Sequence, residues 1–234
     1  MDAARVYLPA TLDVISVDRM ASELASALDA AAPVVLLTGG AAGTFCAGWS
    51  PDPVTAGESE HYSFSRVLAA MHNAPKPLLA VVDGPAMGAG MGLVCACDWV
   101  VATDRASFGL PELLSGRVPA ITWPLITERM APHVARQWAI SCEPQSAREA
   151  LRAGLVDEIA SMDALESVIE RVSHALSRLH SEALVRLRQW ARSSRRHELS
   201  TALSMGVELN AELNVARQEH RQEHASAPAR RQAR

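Results

Sequence analysis

Lysine is almost missing from this chain: of its 234 residues only Lys76 is a lysine, and arginine supplies the rest of the positive charge. Acidic residues outnumber basic ones by 26 to 22, which gives a formal net charge of −4. Proteins that bind nucleic acid usually concentrate positive charge on one face. We therefore expect no nucleic-acid partner.

Long apolar runs and disulfide-type cysteine patterns are also missing. No stretch of about 18 apolar residues occurs, so we expect no membrane-spanning helix and no membrane partner. Residues Met1–Arg5 lack the positive region and apolar core of a signal peptide. The four cysteines are typical of reduced thiols, and Cys95-x-Cys97 has the wrong spacing for a zinc site. These features predict a cytoplasmic protein without a metal centre.

Three common nucleotide and hydrolase motifs are absent as well. Gly88-Ala89-Gly90-Met91-Gly92 does not keep the spacing of a dinucleotide-binding fingerprint. A phosphate loop needs a lysine at the start of the helix, and none is there. No Gly-x-Ser-x-Gly segment supplies a nucleophilic serine. The glycines after the apolar run 77–82 therefore need another explanation.

The glycine-rich segment Asp83–Gly92 lies between a predicted buried strand, 77–82, and a predicted buried helix that includes 93–97. A strand, a glycine turn and a helix N-terminus together present free backbone N–H groups. Such a turn binds an anion, which is either a phosphate or an oxyanion formed during a reaction. Glycines that serve packing alone are the alternative.

A second turn of the same kind lies upstream. The predicted strand 33–39 is followed by a loop and then by the small-residue segment Thr44–Ser50. Turns after two adjacent parallel strands can each aim one N–H at a single oxygen. Two such donors form an oxyanion hole, in which each contributes about 3 kcal/mol of transition-state stabilisation.

Four segments in this order resemble motifs of the crotonase (enoyl-CoA hydratase/isomerase) superfamily, over most of residues 30–215. Two resemble its oxyanion loops, one its catalytic-acid segment and one its Ala-x-x-x-Gly-Leu-Val-Asp turn; they are Phe45–Gly48, Asp83–Gly90, Phe108–Glu112 and Ala150–Glu158. The resemblance implies an α/β fold, with a crotonase-like ββα spiral core and a C-terminal helical trimerisation layer. It implies a homotrimer or a dimer of trimers.

The resemblance also implies thioester chemistry. The thioester oxygen would lie between the N–H groups of Ala47 and Ala89, and Glu112 would move a proton to or from the acyl chain. CoA or phosphopantetheine would be part of the substrate, so no separate cofactor is expected.

Glu112 is the strongest catalytic candidate. It lies in the apolar segment Phe108–Leu114 just after a predicted strand, and an apolar environment raises a carboxyl pKa towards neutrality. By residue type alone, an acid on the exposed first turn of a helix explains it equally well. The resemblance favours catalysis, because Glu112 matches the downstream catalytic glutamate of the family.

Gly92 marks a departure from the family pattern. Hydratases that use two glutamates carry the other one where this chain has Gly92, and the nearest acids, Asp83 and Asp98, are not at that position. The sequence therefore predicts chemistry with a single glutamate.

Three functions are compatible with one glutamate. The first is hydration or dehydration of an acyl-CoA or acyl-carrier-protein thioester, in polyketide or other secondary metabolism. Dehydratase-type homologues of polyketide β-branching pathways resemble this chain at Gly92 and in the Phe108–Glu112 segment. The second is 3,2-enoyl thioester isomerisation, and the third is a non-catalytic crotonase-fold accessory subunit. Decarboxylation and thioester hydrolysis, which are other reactions of the family, are the remaining alternatives.

Four further residues are secondary candidates for substrate binding. Ser50 and Asp52 follow the first oxyanion loop, where solvating the loop is an equal alternative. His61 opens the next predicted helix, and an ordinary surface histidine is the plainer interpretation. Trp123 is placed to line an acyl pocket, although a core position suits a tryptophan equally well.

The nature of the thioester carrier stays open at this stage. Both the phosphates of CoA and an acidic carrier protein require cations, which arginines must supply in a chain with one lysine. Arg66, Arg117 and the Arg195-Arg196 pair are the candidates, and ordinary surface arginines are the alternative.

The domain organisation is predicted as follows. Residues 1–160 form the crotonase-like core with a shortened N-terminus, 161–214 a helical oligomerisation region, and 215–234 a disordered tail. Near the start, 5–17 are predicted as one or two short strands, followed by a helix over Arg19–Ala31 with Asp18 as its N-cap.

Overall fold

The computed structural model describes residues 3–40, 43–50 and 58–226. Its strands form two sheets. The larger sheet consists of β1 (Ala4–Leu8), β2 (Val35–Gly39), β3 (Leu78–Val82), β5 (Trp99–Thr103) and β8 (Glu158–Ala160), and the smaller one of β4 (Pro85–Met87), β6 (Ser107–Gly109) and β7 (Gln145–Ser146).

Helices fill most of the remaining described chain. The α-helices are α1 (Val14–Asp29), α2 (Glu58–His72), α3 (Ala89–Cys95), α4 (Trp123–Arg129), α5 (Pro132–Ser141), α6 (Ala147–Arg152), α7 (Leu165–Leu176), α8 (Ser181–Ser193) and α9 (Leu199–Ser226). Short 3₁₀ helices cover Glu112–Ser115, Met162–Ala164 and Ser194–Arg196.

The larger sheet is parallel throughout, in the order β1-β2-β3-β5-β8. Its central strands are buried on both faces because helices cover each side. Successive side chains of β3 alternate between two hydrophobic clusters: Leu78 and Ala80 join the main core, whereas Leu79 and Val81 pack with residues of α7. This double burial explains the continuous apolar run that predicted the strand.

The smaller sheet begins directly after β3. β4 runs parallel to β6, with Ala86 opposite Phe108, and β6 pairs with β7 in the antiparallel direction. Parallel pairing brings the ends of β4 and β6 to the same edge. The chain after β4 enters α3, and the chain after β6 leads to Glu112.

The prediction for the first helix is wrong at its start. Only β1 is a strand in the region predicted as strands, and α1 begins at Val14 rather than after Asp18. Asp13 is the true N-cap, because its side chain accepts from the Ser16 N–H at 2.7 Å while the Ser16 hydroxyl accepts from the Asp13 N–H at 2.8 Å. This reciprocal cap outweighs the strand preference of the β-branched residues between 14 and 17.

The chain divides into two compact units, Met1–Val185 and Arg186–Arg234. Within the second unit α9 reaches Ser226, so its last turns lie inside the segment predicted as a tail, and 227–234 lie outside the described residues. Among the helices of the described chain, none combines the length and the apolar character that crossing a membrane requires.

Candidate active site

A cavity of about 520 Å³ lies beside the N-terminus of α3. Four parts of the chain meet there: the loop before the undescribed residues 51–57, helix α2, the turn into α3, and the segment 111–122 that follows β6. Its lining includes Trp49, His61, Ala89, Glu112, Arg117 and Thr122.

Main-chain pairing joins the two glycine turns. Cys46 bridges Ala86 in the parallel sense, and the Met87 N–H donates to the Cys46 carbonyl at 2.9 Å. Gly48 then passes close to α3, since a β-carbon on Gly48 would lie 3.5 Å from the Ala89 nitrogen. The two turns therefore lie side by side at the start of α3.

Ala47 lines this cavity, but its N–H is already used. It donates to the Ala10 carbonyl at 2.7 Å. The prediction that the Ala47 N–H is one of the two donors is therefore corrected: that N–H has a protein acceptor and is not offered to a ligand.

The Trp49 N–H, unlike that of Ala47, has no protein acceptor among the described residues. Leu12 pairs with Trp49 by donating to the Gly48 carbonyl and accepting from the Ser50 N–H, both at 2.8 Å. In such a bridge the N–H of the central residue lies on the opposite edge of the extended segment. Within the part of the chain that the structure describes, neither the Trp49 N–H nor the Ala89 N–H donates to a protein group.

Ala89 owes its free N–H to its position in a helix. It is the first residue of α3, and the first N–H groups of a helix have no partner within it. The preceding Gly88 has φ +54°, and its own N–H donates to the Gly109 carbonyl at 2.9 Å. This bond to the end of β6 thus fixes the turn that leaves the Ala89 N–H free.

Glu112 lies against the same turn. A β-carbon on Gly88 would lie 3.0 Å from Glu112 Oε1, so this carboxyl oxygen occupies the space a side chain there would need. The other oxygen, Oε2, is buried and has no hydrogen-bond partner among the described residues. Burial raises the pKa of Glu112, and its own backbone amide and the Arg117 charge oppose this more weakly. The carboxyl is thus suited to exchange protons nearer neutrality.

Gly92, one helical turn beyond Gly88, is covered by Thr122. A β-carbon on Gly92 would overlap the Thr122 Cγ2 methyl and lie 3.0 Å from Thr122 Cβ. The position where the family pattern has a second glutamate therefore has no room for a side chain. The expected single-carboxylate site has a steric basis that the sequence did not reveal.

The secondary candidates separate in the structure. His61 lines the cavity and meets the Trp49 ring edge-on, with ring centroids 5.2 Å apart. Ser50 and Trp123 are not among the described residues that line it: the Ser50 N–H donates to Leu12, and Trp123 packs partly buried against the main core. Asp52 lies outside the described residues.

The described residues contain no group of three or more histidine, cysteine, aspartate or glutamate side chains that could hold a metal ion. Glu112 and His61 both line the cavity.

Comparison with known proteins identifies the family. The family model for enoyl-CoA hydratase/isomerase matches residues 12–232. This chain belongs to that family. The predicted α/β crotonase fold is confirmed, and residues Phe45–Gly48 and Phe108–Glu112 lie inside the matched region.

Individual relatives of the enoyl-CoA hydratase/isomerase chain agree with this. A carnitinyl-CoA dehydratase of Proteus mirabilis is 29% identical over 151 residues, which cover 61% of this chain and 58% of that protein. The chain thus spans less than two thirds of that relative's length. Among solved structures, AtuE of Pseudomonas aeruginosa has a TM-score of 0.77 at 30% identity, covering 89% of this chain and 86% of its own. An enoyl-CoA hydratase/isomerase family protein from Silicibacter pomeroyi has a TM-score of 0.77 at 22% identity, covering 91% and 97%.

Proposed function

We propose that this chain is an enoyl-thioester hydratase/dehydratase in which one carboxyl group, Glu112, carries the proton. One observation carries the proposal: the Glu112 carboxyl, one oxygen of which is buried without a partner among the described residues, lines the same cavity as two free amides. The substrate is an acyl thioester on CoA or on an acyl carrier protein. The name of the Proteus mirabilis relative supports CoA and dehydration as the first choice.

The thioester oxygen binds between the Trp49 and Ala89 N–H groups. Both amides are held before substrate arrives, Trp49 by the pairing of its segment with Leu12 and Ala89 by the start of α3. Negative charge develops on this oxygen when a proton leaves the neighbouring carbon. Fixed donors stabilise that charge more than they stabilise the ground state, which lowers the barrier.

Glu112 performs both proton transfers of the dehydration. Its carboxylate takes the proton from Cα, and the C–H electron pair moves into the thioester to give an enolate. The enolate electrons then form the Cα=Cβ bond, the Cβ–O bond breaks, and the protonated Glu112 returns its proton to the departing hydroxide as water. Hydration is the reverse, and a single carboxyl group places both transfers on one face of the substrate.

Isomerisation of a 3,2-enoyl thioester is the second candidate. The closed space between Gly92 and Thr122 favours it, because moving a proton from one carbon to another needs one base and no water held between two acids. The mass of the thioester then stays constant. A role as a non-catalytic accessory subunit would leave every thioester unchanged.

The test offers 3-hydroxyacyl and enoyl thioesters, on CoA and on acyl carrier protein, to wild type and Glu112→Gln. Glu170→Gln, an exposed carboxyl on α7, is the matched control. Gain or loss of one water by wild type and the control, but not by Glu112→Gln, supports the proposal and names the carrier. A double-bond shift at constant mass supports the isomerase, and equal inertness of all three proteins favours the accessory subunit.

A further inference from the structure

Thr122 occupies an unusual position in the cavity wall. It is only 3% exposed, precedes the first residue of α4 and lines the cavity. Its hydroxyl donates to the Pro119 carbonyl at 3.2 Å, while its Cγ2 methyl lies in the notch above Gly92. The two branches of this side chain therefore have separate partners, and no step of the proposed reaction uses either.

The notch matters because of where it lies on α3. Gly88 and Gly92 are four residues apart, so they share one face of the start of the helix. Glu112 Oε1 lies on Gly88 and the Thr122 methyl lies on Gly92. The segment that carries Glu112 is thus seated on α3 near both of its ends.

Apart from contacts between the 3₁₀ helix Glu112–Ser115 and α5, little else holds the segment in between. Residues 113–118 are all exposed, and Gly116 reverses the chain with φ +69°. The Arg117 N–H donates to the Glu112 carbonyl at 3.0 Å. This bond connects the chain after the Gly116 turn to the Glu112 backbone. Movement at Thr122 would therefore shift Arg117 and the adjoining wall, and would admit water to the carboxyl.

We propose that Thr122 is a positioning residue for Glu112: its methyl, seated on Gly92, holds the segment 117–122 as the wall that keeps water from the carboxyl. The reaction assigned to that carboxyl rests on the proposed function, but the wall itself does not. Residue 92 must then be glycine, because a side chain there would displace the Thr122 methyl.

The charged and titratable groups around Glu112 determine the sign of the effect. Those lining the cavity, within the described chain, are His61 on α2 and Arg117 in the wall itself. Burial is the largest influence on the Glu112 pKa and raises it, whereas Arg117 lowers it. Opening the wall weakens both influences, and the loss of burial dominates, so the pKa of Glu112 falls.

The test removes the methyl and the hydroxyl of Thr122 in separate variants. Thr122→Ser keeps the hydroxyl and removes the methyl, while Thr122→Val keeps a methyl and removes the hydroxyl. Thr127→Ser is the matched control, since Thr127 lies on α4, the helix that Thr122 precedes, and its hydroxyl donates to the Trp123 carbonyl at 3.0 Å. The Glu112 pKa is measured by NMR titration of its ¹³C-labelled carboxyl, assigned with Glu112→Gln, and no substrate is needed.

A fall in the Glu112 pKa of about half a unit or more is expected in Thr122→Ser but not in Thr122→Val or Thr127→Ser. Gly92→Ala should lower the pKa too, and the double variant Gly92→Ala/Thr122→Ser, which returns a methyl to the notch, should restore it. An unchanged pKa in Thr122→Ser, or an equal fall in Thr122→Val, overturns the proposal.

Turnover assays on the same variants separate this inference from the proposed function. If thioesters are converted, the acidic limb of the kcat/KM profile should shift with the NMR value. If no thioester is converted while the carboxyl titrates as expected, the proposed function fails and the role of Thr122 stands.

Discussion

Ala89 allows a backbone N–H to be removed without breaking a helix. It is the first residue of α3, a position where proline is well tolerated because no helical bond is lost. We expect Ala89→Pro to lower kcat/KM about 10²–10³-fold through the loss of one oxyanion donor, with little change in circular dichroism. Val14→Pro places the same change at the first residue of α1 as a control. Unchanged turnover in folded Ala89→Pro would rule out this donor.

Glu112 should destabilise the fold at neutral pH. Its pKa is raised above the usual 4.5, so between 4.5 and the folded-state pKa the folded chain binds more protons than the unfolded chain. The free energy of unfolding therefore decreases as pH rises through that window. Glu112→Gln should raise Tm near pH 7 by about 2–4 °C for each kcal/mol recovered.

Thermal unfolding followed by circular dichroism at several pH values measures this difference. Below about pH 4 the carboxyl is protonated in both states, so the gain should vanish there. Glu170→Gln, which removes an exposed carboxyl, should give no such pH-dependent gain. A gain of equal size at every pH would point to packing rather than to ionisation.

Single residues of the site were predictable to different degrees. Glu112 was selected through the family resemblance, because its local context, an acid in an apolar segment after a strand, fits an exposed helix acid equally well. The strand, glycine turn and helix predicted free N–H groups in that turn, and the resemblance then named Ala89 among them. Trp49 was missed in favour of Ala47, because the direction of each N–H depends on pairing with Leu12, a contact distant in sequence. In an extended segment the N–H groups point alternately to its two edges, but the sequence does not show which edge faces the cavity.

At the scale of elements, Arg129 joins three of them. From the end of α4 its guanidinium donates to the Cys97 carbonyl after α3 at 2.9 Å and to the Leu155 carbonyl after α6 at 2.8 Å. It also pairs with Asp157 at 2.5 Å, and its side chain is only 13% exposed. Because three acceptors lose their donor together, we expect Arg129→Met to cost about 2–4 kcal/mol of unfolding free energy.

Denaturant unfolding measures this cost. Arg129→Lys should recover only part of it, since one ammonium cannot reproduce the fork of the guanidinium. The exposed pair of Arg171 and Glu158 supplies the control, and Arg171→Met should cost less than about 1 kcal/mol. Equal costs for Arg129 and Arg171 would contradict the bridging role.

The elements themselves were predictable where the signal is local. β3 was predicted over its full length because burial on both faces leaves an unbroken apolar run. The start of α1 was missed because Val14, Ile15 and Val17 favour strands, while the cap between Asp13 and Ser16 that decides the matter depends on two short side chains. The contact of Thr122 with Gly92 was invisible, since no local pattern relates α3 to the residue before α4.

At the scale of the molecule, the parallel arrangement creates the site. Parallel strands end at a common edge, so segments distant in sequence converge where β4 and β6 finish. Trp49, Ala89 and Glu112 come from three such segments, and the rigid sheet fixes their separation. Substitutions that loosen one of these strand ends should therefore lower the activity before they lower the stability of the fold.

The second compact unit carries an unpaired apolar stripe that predicts its role in assembly. Leu199, Leu203 and Val207 recur at intervals of four along α9 and are between 64% and 75% exposed. Such stripes mark association surfaces, as the expected trimer or hexamer requires. Light scattering coupled to gel filtration should give three or six chain masses, and Leu203→Glu should lower that mass on dilution. Thr201→Glu adds the same charge on the opposite side of α9 and should leave it unchanged; a monomeric wild type, or equal effects of both, would contradict assembly through this stripe.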